Sequence, residues 1–107
     1  MSEPFVTQLR ARRESLSIGN PGTNGMTVRV EVPEVWDTVA VHAPTDAPVR
    51  ALKRAALKAL VPGADVSRWV MKLRGFEVLD EDLPLTGAGA SDGSIFLLTS
   101  RRRRPVR

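Results

Sequence analysis

A strict alternation of apolar and polar side chains over residues 26–32 limits what this chain can fold into more than any other feature of its sequence. The apolar members fall at every second position, at Met26, Val28, Val30 and Val32. A period of two is typical of a strand with one buried face. A similar run covers residues 38–43, and the segment from Pro33 to Asp37 suits a hairpin connection. The sequence therefore predicts an antiparallel hairpin.

A helix is predicted over residues 49–60, directly after this hairpin. Its apolar side chains recur every three to four residues on one side, and most of its basic side chains fall on the other. Thr45 or Asp46 can cap its first turn, and Pro62 with Gly63 ends it. The helix thus presents one apolar face, which must be buried against another element.

Three more strands are predicted downstream of the helix. Residues 69–73 form a third strand, residues 77–79 a short fourth strand, and residues 94–99 an apolar final strand after an irregular segment. The element order is ββαββ(loop)β. This order predicts an α+β fold, in which one helix packs across one face of a mixed sheet of four to five strands.

The positive charge of the chain is concentrated at its C-terminal end. Of 16 basic side chains, five belong to the last seven residues, and the other 100 residues carry 11 basic and 12 acidic side chains. We therefore predict a folded domain over residues 26–100 and a basic, disordered tail over residues 101–107. Residues 1–25 combine scattered apolar side chains with a turn-rich end, so we predict a disordered N-terminal tail there.

Several classes of site find little support in the composition. The chain has no cysteine and a single histidine, His42, so we expect no transition-metal site and no cofactor. No catalytic constellation is recognisable, so we expect no enzymatic activity. No apolar run reaches the roughly 20 residues that span a bilayer, and residues 1–13 lack the apolar core of a signal peptide, so we expect a cytoplasmic protein.

Five segments within residues 26–101 together resemble ubiquitin and its relatives, in the same order along the chain. They are the opening strand, the Pro-Thr-Asp entry to the helix and its Val-Arg-Ala-Leu-Lys start, the Val-Met-Lys-Leu-Arg-Gly strand, the stretch from Leu79 to Leu85, and the final Ser-Ile-Phe-Leu-Leu strand. This resemblance implies a ubiquitin-like β-grasp fold. It also implies that the domain works by binding another protein.

One departure from ubiquitin concerns the C-terminal end. Ubiquitin-type modifiers and sulfur carriers act through a C-terminal Gly-Gly carboxylate, whereas Gly-Gly occurs nowhere in this sequence. We therefore expect an adaptor that is not conjugated to other proteins and that is a monomer or a weak dimer. In lacking Gly-Gly, the chain also resembles bacterial proteins of the YukD/EsaB type. This resemblance implies an accessory role in a bacterial secretion or other multiprotein system.

The predicted protein-binding residues are Trp36, Lys72, Leu97 and Thr99. Ubiquitin carries a small apolar patch on outward positions of its third and last strands, and the resemblance places Lys72, Leu97 and Thr99 at these positions. Since only Leu97 is apolar, the receptors of ubiquitin itself would have to desolvate the Lys72 ammonium. Trp36 falls in the predicted hairpin turn, where an indole is not easily buried and favours an interface.

The alternative function is weak binding of nucleic acid, or of another anionic surface, through Arg101, Arg102, Arg103 and Arg104. Neutralising about four phosphates would give modest affinity with a steep salt dependence. A solvated tail without a partner and contact with an anionic membrane are the other interpretations of such a run. No aromatic residue adjoins the arginines in the sequence, so nothing beside them would stack on a base.

Overall fold

The computed structural model describes residues 16–19 and 25–101. Within them the chain forms six strands, one α-helix and two 3-10 turns, Pro33–Val35 and Val66–Arg68. The strands and the helix are β1 (Leu16–Ser17), β2 (Gly25–Val32), β3 (Asp37–Pro44), α1 (Val49–Leu60), β4 (Trp69–Leu73), β5 (Phe76–Glu77) and β6 (Ile95–Ser100). The predicted helix and the longer predicted strands are therefore present within one or two residues of their expected bounds.

All six strands join one mixed sheet in the order β1-β3-β2-β6-β4-β5. β2 and β6 run parallel at its centre, and β3 and β4 pair antiparallel with them on either side. Residues of α1 share one apolar core with the strands of this sheet. The predicted α+β arrangement of a helix on a mixed sheet is confirmed, with six strands in place of four to five.

The additional strand β1 comes from the predicted N-terminal tail. It pairs in parallel with β3, and the Ile18 backbone N–H donates to the His42 carbonyl at 2.9 Å. Leu16 and Ile18 are partly buried against the core. These residues are therefore part of the sheet, whereas residues 1–15 and 20–24 of the predicted tail lie outside the described residues. Two paired residues are too few to show a period in the sequence.

The core lies between the sheet and α1 and is built from alternate strand positions. Its fully buried side chains include Val28, Val30, Val32, Val39, Val41, Leu52, Met71, Phe96 and Leu98. The strand residues between them face the other side of the sheet, since successive side chains alternate across a strand. The alternation that predicts the hairpin thus also decides which side chains remain available to a partner.

The first turn of α1 is held by a loop rather than by a capping side chain. Pro48 precedes the helix and neither of the two predicted capping side chains bonds to it. The Val49 N–H instead donates to the Leu83 carbonyl at 3.0 Å. The Arg50 N–H donates to the Glu81 carbonyl at 2.9 Å. The irregular segment before β6 therefore supplies acceptors that the helix N-terminus requires.

Lys53 is a buried charge on the core side of α1, with 4% of its surface exposed. Its Nζ donates to the Trp69 carbonyl and to Oε2 of Glu81, both at 2.8 Å. The Glu81 carboxylate is itself largely buried. One ammonium group therefore joins α1 to β4 and to the irregular segment, and its charge is compensated where water is excluded.

Replacing Lys53→Met keeps most of the volume of the side chain but removes both hydrogen bonds. We expect the free energy of unfolding to fall by about 2–3 kcal/mol, because the Glu81 carboxylate and the Trp69 carbonyl lose their partner in a largely buried site. Urea unfolding followed by circular dichroism measures this change. Lys58→Met, on the exposed side of the same helix, is the matched control and should alter stability by less than about 0.5 kcal/mol. Equal effects of the two variants would contradict the role of Lys53.

Candidate protein-interaction surface

The outward face of the sheet, on the side away from α1, carries three of the predicted binding residues. Lys72 on β4 lies directly opposite Leu97 on β6, and Thr99 lies opposite Val70 two positions along the same strands. Met71, between Val70 and Lys72, is fully buried in the core. The pleat of the sheet therefore brings Lys72, Leu97 and Thr99 together on one surface.

Ile95 extends this surface, because it lies two residues before Leu97 on the same face and is half exposed. The name outer patch is used below for Lys72, Ile95, Leu97 and Thr99. From the neighbouring strand β2, Arg29 lies opposite Ile95 and Glu31 lies opposite Leu97. The outer patch therefore has a short apolar centre with charges of both signs around it.

Trp36 is exposed, as the sequence predicts, but it stands at the end of the sheet rather than in the outer patch. Its side chain is 92% exposed, and its backbone is left-handed with a φ of 54°. The 3-10 turn before it is held against β6, because the Glu34 carboxylate accepts from the backbone N–H of Ser100 at 2.9 Å and from its hydroxyl at 3.0 Å. Trp36 therefore lies near the point where the chain leaves β6.

Arg101 contacts the folded domain, although the sequence places it at the start of the tail. Its backbone N–H donates to the Arg68 carbonyl. Its guanidinium pairs with the Glu77 carboxylate at 2.6 Å. The three arginines that follow it lie outside the described residues, so their contribution to an anionic-surface site stays a prediction.

Sequence reasoning missed an apolar groove beside the turn between β4 and β5. Phe76 and Leu79 are 77% and 84% exposed, and together with Leu83 and Ala88 they border a cavity of about 540 Å³. The turn depends on Gly75, whose φ of 86° is unfavourable for residues with a Cβ. The available signal was a pair of large apolar residues, Phe76 just before the predicted fourth strand and Leu79 at its end, which cannot both face the core because they are three residues apart.

Asp65 lies near Arg68, in the connection that leads into β4. The Ser67 hydroxyl donates to its carboxylate at 2.8 Å and the Ser67 N–H at 3.1 Å. These hydrogen bonds, with a smaller effect of Arg68, lower the pKa of Asp65. Asp65 therefore remains ionised at neutral pH, and its charge faces the Arg68 guanidinium at 3.7 Å.

Neither a metal-binding cluster nor a membrane-spanning helix occurs in the part of the chain that the structure describes. No three His, Cys, Asp or Glu side chains there are grouped as ligands of a metal ion. No helix there is long and apolar enough to cross a bilayer, since α1 has 12 residues.

Comparison with known proteins identifies this architecture. No protein-family model matches the chain, and no curated protein matches it in sequence. The ubiquitin-like domain of Arabidopsis thaliana protein At2g32350 has a TM-score of 0.64 and 17% identity, over 84% of this chain and 92% of that one. Caldiarchaeum subterraneum ubiquitin has a TM-score of 0.63 and 15% identity, over 74% and 96%. The UBL domain of Plasmodium falciparum Dsk2 has a TM-score of 0.61 and 21% identity, over 71% and 97%.

The chain has the ubiquitin-like β-grasp fold. This confirms the fold that the five sequence segments imply. Since each identity is below 25%, the likeness shows the fold alone, and one fold serves many different partners. The finer resemblance to the YukD/EsaB type stays a prediction.

The double substitution Lys72→Ile and Thr99→Val would make the outer patch of this ubiquitin-like domain fully apolar. We expect it to bind a receptor domain of ubiquitin at least about tenfold more tightly than the native chain, because the Lys72 ammonium no longer has to be desolvated and the added apolar surface is buried. Isothermal titration calorimetry measures both affinities. Lys58→Ile adds apolar surface on α1 instead, and an equal gain in that control would contradict the assignment of the patch.

Proposed function

We propose that this chain is a ubiquitin-like protein-interaction module, which acts as an adaptor through its outer patch and catalyses no reaction itself. The observation that carries the proposal is the position of Leu97, which is partly exposed at the centre of the outward face. Lys72 lies beside it on one strand and Glu31 on the other. An apolar centre within a charged rim is typical of protein interfaces.

The rim charges indicate what such a partner would present. Lys72 and Arg29 form no ion pair with any residue in the described part of the chain. Both are therefore free to meet acidic side chains of a partner, while Leu97 and Ile95 lie beneath its apolar residues. Charge pairs at the rim would set orientation and association rate more than affinity.

The solved structures that the fold of this chain resembles support a binding role. They are ubiquitin-like domains, and such domains generally bind other proteins. That the module is held by its surface and is not joined to a target is part of the same proposal. An accessory role in a bacterial secretion or other multiprotein system, acting in the cytoplasm, belongs to the same proposal. It rests on the resemblance to the YukD/EsaB type.

Affinity capture from a lysate of the source organism, read by mass spectrometry after nuclease treatment, tests this proposal. We expect a defined set of proteins to remain bound to the native chain. The double variant Trp36→Ala and Leu97→Ala should recover about tenfold less of them, because truncating a central interface residue removes a large share of the binding energy. The two single variants then show which of these side chains is responsible.

A matched control comes from the apolar groove at the β4–β5 turn. Phe76→Ala with Leu79→Ala removes two exposed apolar side chains away from the outer patch, so it should leave the captured set unchanged. Unchanged capture by the Leu97→Ala single variant, or loss of capture in this control, would contradict the outer patch as the contact surface. Circular dichroism on each variant verifies that the domain is folded.

A further inference from the structure

The short strand β5 forms one edge of the sheet and leaves backbone hydrogen-bonding groups open there. The Val78 N–H donates to the Met71 carbonyl on β4 at 2.8 Å. Successive N–H groups along a strand point to opposite sides, so the N–H and the carbonyl of Glu77 point away from β4. Neither group bonds to another residue in the part of the chain that the structure describes. An open edge of this kind can pair with a further strand.

Large apolar side chains flank this edge, where natural sheets usually place charges that protect an edge from pairing. Phe76 lies one residue before Glu77 and Leu79 lies two residues after it, and both are largely exposed. Both side chains border the apolar groove at the β4–β5 turn. Exposed apolar side chains of this size beside open backbone groups favour a partner strand that covers them.

The residues on the two sides of Glu77 complement each other. Arg74 lies three residues before Glu77, and Asp80 lies three residues after it. Both are exposed, and neither forms an ion pair within the described residues. Gly75 lies two residues before Glu77, and Leu79 lies two residues after it. The space where a Cβ of residue 75 would lie is open, so a large side chain can be accommodated opposite Gly75.

We propose that two copies of this chain pair through β5, with the two strands antiparallel around a two-fold axis at Glu77. The Glu77 N–H of each copy would donate to the Glu77 carbonyl of the other, which closes the open edge. The same symmetry brings three further pairs of residues opposite each other, and each pair occurs twice. These pairs are Phe76 with Val78, Leu79 with Gly75, and Arg74 with Asp80. Apolar surface is then buried near the axis, and ion pairs form at both ends of the contact.

The two central carboxylates do not oppose this pairing, because each is already compensated within its own copy. Two Glu77 side chains would face each other across the axis, and like charges in such positions are unfavourable. The Arg101 guanidinium, however, pairs with the Glu77 carboxylate at 2.6 Å. The Arg101 N–H donates to the Arg68 carbonyl, so this cation belongs to the folded domain. The centre of the contact therefore carries balanced charge.

A second copy fits this edge better than an unrelated peptide, because the edge has opposite charges at its two ends. A strand that follows it antiparallel must present the reverse order of charges, and the same edge of a second copy does so. The two-fold axis keeps both sheets facing the same way, so the two outer patches would lie on one surface. Two patches would hold a protein partner more firmly than one. This consequence rests on the proposed function, whereas the pairing itself does not.

Sedimentation velocity of the full chain at increasing concentration tests the pairing without any partner. We expect a monomer–dimer equilibrium with a dissociation constant of about 100 µM, since so small a contact belongs to the weakest class of interface. Arg74→Asp and Asp80→Arg should each weaken self-association about tenfold at low salt, because like charges then meet at both ends of the contact. Residue 74 has a left-handed φ of 56°, which Asp adopts readily.

A mixture of these two variants separates the proposed register from a general effect of charge. In a mixed dimer every Asp at the two ends lies opposite an Arg, so association should recover to within about threefold of the native value. Arg29→Asp is the matched control, because it makes the same change of charge beside the outer patch and should leave the native equilibrium unchanged.

Amide hydrogen exchange locates the contact on the molecule. The Glu77 N–H should exchange more slowly as the protein concentration is raised, because it gains an acceptor only in the dimer. Glu77→Pro removes this donor at an edge position where the monomer has no use for it, so the monomer should stay folded and the dimer should be lost. Glu77→Ala keeps the N–H and should still dimerise. Circular dichroism verifies that each variant is folded.

Three outcomes would overturn the proposal. The first is a native chain that stays monomeric up to about 1 mM. The second is a mixture of Arg74→Asp and Asp80→Arg that associates no better than either variant alone. The third is a monomeric native chain whose Phe76→Ala and Leu79→Ala variant loses proteins in the lysate capture, because the edge then serves a different partner. Self-association is measured on the isolated chain, so its failure leaves the capture result for Leu97→Ala as it stands.

Discussion

The parallel pairing of β2 with β6 is the contact on which the rest of the structure depends. It joins the N-terminal hairpin to a strand from the far end of the chain, with Val30 opposite Phe96 in the core and Glu31 opposite Leu97 outside. Because the core covers only one face of these strands, a shift of one residue would expose Phe96 and bury Leu97. The burial of Phe96 therefore determines the outer patch as well as the core.

Polar contacts from side chains and loops then fix the helix and the hairpin turn to this sheet. The irregular segment before β6 supplies two carbonyls to the first turn of α1, and its Glu81 carboxylate pairs with the buried Lys53. Lys53 also donates to the carbonyl of Trp69, which lies opposite Ser100, and at this same end of the sheet Glu34 holds the hairpin turn against Ser100. These contacts are made by polar groups only, and each connects segments that are far apart in the sequence. They give the helix and the Trp36 turn definite positions relative to the sheet.

The domain consequently has two different surfaces. The outer patch has an apolar centre with mixed charges and suits a protein partner. The end of the sheet that carries Trp36 presents a single exposed indole instead. Because Trp36 stands at the end of the sheet rather than in the outer patch, each surface can be altered without removing the other.

The sequence by itself determined the alternation in β2 and β3, the apolar face of α1 and the inward positions of β6, because these patterns follow from local periods of side-chain burial. It also indicated the outward positions of Lys72, Leu97 and Thr99. Only the tertiary structure decided that β1 joins the sheet, that loop carbonyls complete the helix, and that Glu34 holds the turn before Trp36 against Ser100. Each of these depends on a contact between distant segments, and no local period encodes such a contact.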